Sequence, residues 1–208
     1  MKSSNEHSKK SWLPASSSAH SASDESVVLE TDRLLLRKPC EEDAASIFAY
    51  ASNENVSRYT RWRAHRDLED SKKFIQESQE IFERDYWVGP FVILMQREPT
   101  KVIGTIGCAD AAKEHKRMEM GLAISEAHWG KGIATEASKR MIDYAFSNFD
   151  LERMQYRCVP ENEASLQLAK KLGFQYEGRL RHVAWSNGRH WDIIYLSMLR
   201  GEWEAAQQ

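Results

Sequence analysis

Ile124-Ser125-Glu126-Ala127-His128-Trp129-Gly130-Lys131-Gly132-Ile133-Ala134-Thr135-Glu136-Ala137 is the stretch on which the reading of this chain turns. An alternating segment, residues 117–125, ends here as a strand, and two glycines permit a tight backbone path. A helix over residues 132–149 follows at once, with Ala134, Ala137, Met141, Ile142 and Ala145 along one stripe. The first N–H groups of a helix have no partner inside it, and its dipole favours an anion there by about 0.3–1 kcal/mol. Gly130 and Gly132 would let such an anion approach the backbone, while Lys131 reads either as an added cation or as a solvated side chain. Taken alone, the segment is first a plain glycine-containing strand–helix turn. The nucleotide-binding patterns fit worse: no Gly-x-x-x-x-Gly-Lys-Ser/Thr occurs, and Thr135 stands where Gly-x-Gly-x-x-Gly needs its third glycine.

Outward from this turn, the elements alternate. Residues 33–37 read as a strand closed by Pro39, and Glu41-Glu42-Asp43 opens a helix to about Ala51. Asp67 caps a second helix reaching about Arg84, with Phe74, Ile75, Ile81 and Phe82 inward. Strands over 88–96 and 102–109 follow, joined by the turn Arg97-Glu98-Pro99-Thr100. Beyond the central helix come a strand at 153–159, a helix at 163–172 ended by Gly173, and strands at 174–184 and 190–199 joined through Ser186-Asn187-Gly188. The order is β-α-α-β-β-β-α-β-α-β-β, an α+β arrangement with helices around one sheet.

The 208 residues suffice for one substantial domain, assigned to 27–208. Residues 1–26 hold ten serines and few large apolar side chains, and read as a disordered tail. A net charge of −2 argues against nucleic-acid partners, and no apolar run approaches the roughly 20 residues that span a bilayer. Cys40, Cys108 and Cys158 are far apart and lack zinc-ligand spacing, so no metal is expected, and free thiols fit a reducing cytoplasm. Cys158 reads as a small buried strand residue before it reads as a nucleophile.

At Trp129-Gly130-Lys131-Gly132-Ile133-Ala134 the sequence resembles the GNAT N-acetyltransferase superfamily, whose motif is Gln/Arg-x-x-Gly-x-Gly/Ala, and within it the RimJ/RimL-like branch, where Trp is frequent at the first position. Three further segments resemble the same branch in the same order: Glu30-Thr31-Asp32-Arg33-Leu34-Leu35-Leu36-Arg37, Asn162-Glu163-Ala164-Ser165 with Leu172-Gly173-Phe174, and Asn187-Gly188 with Asp192. The resemblance covers about residues 28–203. It implies a GNAT-like fold, a mixed, mostly antiparallel, splayed sheet of about seven strands with about four helices. It also implies that acetyl-coenzyme A enters between the strands at 117–125 and 153–159, its diphosphate held by Trp129, Gly130, Lys131, Gly132, Ile133, Ala134 and Thr135. Splayed strands leave backbone groups open to a pantetheine arm, here at Leu122 and Ile124.

An aliphatic amine, with a pKa near about 10, must lose a proton before it attacks a thioester, and the departing thiolate needs a hydrogen-bond donor. Glu119, on the strand beside the expected acetyl position, is the base candidate; its plain reading is a strand carboxylate paired with Arg117 or another cation. By resemblance the backbone N–H of Leu122 stabilises the oxyanion, Asn162 contacts the pantetheine and Ser165 reaches the sulfur. Asn162 also reads as a helix N-cap. Tyr59 and Trp62, in the link between the first two helices, are candidate acceptor-binding residues or loop pins. The expectation is an acyltransferase that moves acetyl from acetyl-coenzyme A to a primary amine by direct attack. The acceptor is a protein N-terminus or a small-molecule amine, and the enzyme is cytoplasmic, a monomer or homodimer. Two rivals are an acyl-coenzyme A-binding module without turnover and a phosphate-binding hydrolase, for which no metal carboxylates are visible.

Overall fold

Residues 91–95, Phe-Val-Ile-Leu-Met, alternate between two cores: Phe91, Ile93 and Met95 join one cluster, Val92 and Leu94 the other. A strand covered on both faces has no polar side to show, which is why this run is continuously apolar. The computed structural model describes residues 27–82, 88–186 and 188–208. The serine-rich segment 1–26, the expected helix end at Arg84 and Asn187 of the last turn lie outside the described residues.

Eight strands form one sheet: β1 (Val28–Glu30), β2 (Leu34–Arg37), β3 (Val88–Met95), β4 (Glu98–Ala112), β5 (Arg117–Ile124), β6 (Arg153–Cys158), β7 (Gln175–Ser186) and β8 (Arg189–Leu199). Their order is β1-β2-β3-β4-β5-β6-β8-β7, and β5–β6 is the parallel pair among antiparallel neighbours. The helices among the described residues are α1 (Ala44–Ala51), α2 (Glu54–Ser57), α3 (Leu68–Phe82), α4 (Ile133–Asn148), α5 (Glu163–Lys171) and α6 (Arg200–Ala205). One core lies under α1 and α3, with Ile47, Tyr50, Ile75 and Val102; the other lies under α4 and α5, with Ala137, Met141, Phe146 and Ala169. The sheet is therefore a wall between two compartments.

The mixed, mostly antiparallel sheet agrees with the sequence expectation, and the differences have local causes. Residues 28–30 form a separate edge strand, and α2 and α6 add two short helices. The expected helix from Glu41 starts as a 3₁₀ turn, Glu41–Asp43, because Asp43 turns inward. Arg37 Nη1 and Nη2 donate to its two oxygens at 2.7 and 2.8 Å. Losing one partner of a fully buried pair costs about 3–5 kcal/mol, and less here because Arg37 remains partly exposed. The β3–β4 turn is two residues earlier than expected, since Met95 already pairs with Glu98. Pro99 is accommodated inside β4 because residues 99–101 fall in a register shift, where no ladder N–H is required. Asp67 caps α3 as expected, its Oδ1 accepting from Asp70 N at 3.0 Å.

One irregularity positions the site. β5 and β6 pair from Arg117↔Arg153 to Met120↔Tyr156, and the ladder then stops although both strands continue. Residues 121–124 of β5 keep β4 as neighbour and have none on the β6 side. The wall has a gap there.

Candidate active site

At the end of β5 the chain makes a 3₁₀ turn, Glu126–His128, and then passes through Gly130 at φ +71° and Gly132 at φ +76° into α4. Residues with a Cβ pay a steric penalty at such angles, which explains both glycines. Trp129 donates its indole N–H to the Ile124 carbonyl at 2.7 Å and so ties the turn to the strand end. Lys131 folds back, its Nζ donating to the Ala127 carbonyl at 2.8 Å, so its charge reinforces the turn instead of projecting from it. Gly132 is the N-cap of α4 and offers no side-chain cap; the first helical bond is Glu136 N to Gly132 O at 3.1 Å. The N–H groups of Ile133, Ala134 and Thr135 consequently lack helical acceptors at the positive end of a helix dipole. Such a helix start is an anion cradle made of backbone.

Sequence reasoning did not foresee what braces the cradle. Arg33 donates from Nε to Glu136 at 2.7 Å and from Nη1 to the Lys131 carbonyl at 3.1 Å. Thr31 Oγ1 donates to Glu136 at 2.5 Å. Burial opposes the charge on Glu136, but these donors prevail and hold its carboxyl below the usual range. The charge is compensated locally by Arg33, so it does not repel an anion at the same helix end.

The gap itself is flanked differently on its two sides. On the α4–α5 side, Tyr156 Oη and Ser165 Oγ lie 2.8 Å apart. Burial pushes the Tyr156 hydroxyl up to about 12 and the Cys158 thiol up to about 11, so both stay protonated at neutral pH. Tyr156 is thus a proton-bearing neighbour of Ser165 that the sequence did not single out, and Cys158 takes the plain reading. Asn162 is the N-cap of α5, its Oδ1 accepting from Ser165 N at 3.2 Å. Leu122 and Ile124 sit on β5 beyond its last pair with β6.

On the opposite face, Glu119 is 8% exposed and sits among charges. Arg61 Nη2 donates to it at 2.5 Å, and Arg157 is its second ion-pair partner. Arg117, the partner considered from sequence, instead donates to Gln155 at 2.7 Å. Asp110, at φ +46°, accepts from Arg61 at 3.3 Å and from Arg157 at 2.7 Å, tying the group together. Burial raises the Glu119 carboxyl; the charge and hydrogen bond of Arg61 oppose this, Asp110 adds to it, and the net direction is upward. A carboxyl raised in this way is a better proton acceptor than an ordinary one.

The candidate acceptor residues are each engaged in packing. Tyr59 stands edge-on to Trp191 with centroids 6.1 Å apart, and Trp62 leans on His65 at 5.6 Å. Trp62 also lines a groove of about 1200 Å³ between α1, α2, the 58–66 link and α3 on one side and the β7–β8 hairpin on the other. Tyr59 is not among the residues lining that groove.

The sheet opens between two parallel strands, with a glycine-framed helix start at one strand end and Glu119, Tyr156 and Ser165 near the opening. The chain matches the family model described as acetyltransferase (GNAT) domain over residues 33–175, and it belongs to that family. It is 35% identical over 173 residues to the uncharacterized N-acetyltransferase YoaA of Bacillus subtilis, covering 83% of this chain and 97% of that one. It is 27% identical over 167 residues to spermidine N(1)-acetyltransferase of Escherichia coli, covering 79% and 84%. Among solved structures, RimL, the ribosomal L7/L12 alpha-N-protein acetyltransferase in complex with coenzyme A, shares the fold with a TM-score of 0.75 at 18% identity, covering 83% of this chain and 98% of that one. The protein is an N-acetyltransferase of the GNAT family.

Proposed function

We propose that the protein transfers the acetyl group of acetyl-coenzyme A to a primary amine, with a protein N-terminal α-amine as the acceptor, and that one catalytic domain over residues 27–208 performs the reaction in the cytoplasm as a monomer or homodimer. The observation that carries this reading is the gap after Met120↔Tyr156, because it joins the cradle's compartment to the one that holds Glu119. The thioester supplies an activated acyl carbon and a thiol leaving group. The backbone from Trp129 to Thr135, with Lys131 as a brace, holds the diphosphate; Leu122, Ile124 and Asn162 orient the arm, and the Leu122 N–H faces the developing oxyanion. Glu119 takes the amine proton, directly or through water, while Arg61, exposed and on the link, gives way to the incoming cation. Ser165 donates to the thiolate and Tyr156 stands behind it; Tyr59 and Trp62 border the acceptor. The YoaA, RimL and spermidine enzymes support amine acetylation as the class, and the RimL likeness supports a peptide terminus by analogy alone.

The test is a thiol-release assay with acetyl-coenzyme A against N-terminal peptides and polyamines, with mass analysis of the modified nitrogen. Coenzyme binding without release for any amine would replace this reading with a non-catalytic module. Ser165→Ala is expected to slow turnover about tenfold while coenzyme affinity stays within about twofold. Adding Tyr156→Phe, which removes the second hydroxyl at nearly equal volume, deepens the loss; unaltered single-turnover rates in both variants would exclude the pair as thiol donors.

A further inference from the structure

The groove beside Trp62 has a floor and a charge, and the two together specify its occupant. Thr105 of β4 lines it, and Thr105 pairs in register with Ala123, which belongs to the stretch of β5 that β6 has left. The groove therefore reaches the strand beside that stretch, on the Glu119 side of the sheet. Its walls carry acidic and basic side chains that do not cancel. Arg66 is matched by Asp70 at 3.2 Å and Lys73 by Glu77 at 3.8 Å. His65 adds no charge at neutral pH, since burial lowers its pKa below the usual value. What remains is Arg58 and Arg63 against Glu54, with Arg189 held as loosely as Lys73 by a carboxylate outside the groove lining. Among the described residues Arg58 and Arg63 make no ion pair, and Arg189 has Glu161 at 3.8 Å while lying over the Trp191 ring at 3.4 Å. The three guanidiniums come from both walls, two from the link and one from the hairpin.

We infer that this groove takes an acidic peptide segment: the acceptor presents its amine at the gap and lays carboxylates of its next few residues against Arg58, Arg63 and Arg189. The inference rests on the acetyl-transfer reading and names its substrate class. Guanidinium forks on exposed link and hairpin residues suit carboxylates in bidentate geometry, with Trp62 and Trp191 as apolar walls for the backbone between them. A polyamine would bring further positive charge to a surface already cationic, so the groove selects against it.

Three peptides with the same first residue and length, differing at the following four positions as acidic, neutral or lysine-rich, separate the possibilities, with spermidine as a fourth acceptor. The acidic peptide is expected to exceed the neutral one about tenfold in kcat/KM, mostly through KM, with the lysine peptide and spermidine lower still. The preference should shrink toward unity at about 0.5 M salt, where such charges are screened. Arg58→Glu with Arg63→Glu should reverse the order of acidic and lysine peptides. Binding of the same peptides to the coenzyme-saturated protein gives a readout that needs no turnover and should show the same order. Equal kcat/KM for the three peptides, or preference for the lysine peptide or spermidine, would overturn the inference while acetyl transfer stands. Failure to acetylate any amine by protein that binds coenzyme would bring down both.

Discussion

Gly132→Glu is expected to weaken acetyl-coenzyme A binding at least about 100-fold, measured by calorimetry, with the melting temperature lowered by only about 2–8 °C. The residue sits at φ +76°, where a non-glycine side chain costs roughly 1–2 kcal/mol. It is also the N-cap whose successors have no helical acceptors for their N–H groups, so a carboxylate there would occupy the place proposed for the diphosphate. The nearest atom to an added Cβ would be Arg33 Nη2 at 3.5 Å, an ordinary contact. Gly132→Ala therefore meets no clash and isolates the conformational part: the strain is the same in the free and bound states, so it should lower the melting temperature while affinity stays within about threefold. Equal affinity in the Glu variant and the unmutated protein would remove the cradle from the mechanism.

Glu119→Gln should lower kcat/KM about 100-fold or more near pH 7, the scale of a lost general base. The deficit should narrow as pH approaches the pKa of the free amine, where the acceptor arrives unprotonated. The sign follows from the environment. Burial raises the carboxyl, so protonation begins nearer neutrality than for an exposed glutamate, and the unmutated enzyme loses activity on that acid limb as pH falls. In the Glu119→Gln variant the limb disappears. A raised folded-state pKa also means that this group's contribution to stability is complete below the unfolded value and is lost as pH rises through the folded one. Neutralising it is thus not expected to unfold the protein at neutral pH, and lost activity would report chemistry. A pH-independent loss of rate would instead assign Glu119 to holding Arg61 and Arg157 in place.

Local patterns in the sequence carried the elements well. The Ala137, Met141 and Ala145 stripe, the uninterrupted 91–95 run and the two glycines each encode a local requirement that a reader can state without coordinates. Gly173 is another, at φ +92° with Gly173 N to Lys170 O and Phe174 N to Ala169 O both at 3.0 Å closing α5. Partnerships across the fold were not legible. Glu119 meets Arg61 across 58 positions and Glu136 meets Arg33 across 103, and nothing at either residue announces the other. Lys131 shows the same limit: its Nζ satisfies a carbonyl four residues back, a contact that its charge alone does not announce. Tyr156 was hidden by type, since a strand tyrosine reads as core until the hydroxyl of Ser165 is placed beside it.

The two-sided gap bears on the order of events during turnover. On the proposed reading, coenzyme and acceptor approach from different compartments and meet through the opening, so neither has to leave before the other arrives. Burial raises the Cys158 thiol, the one nearest Ser165 in this strand–helix pair, to about 11, so it is protonated at neutral pH and a poor nucleophile for relaying the acyl group. Steady-state plots at several fixed acceptor concentrations should therefore intersect, with either partner able to bind first, and no label should exchange between coenzyme and acetyl-coenzyme A until an amine is present.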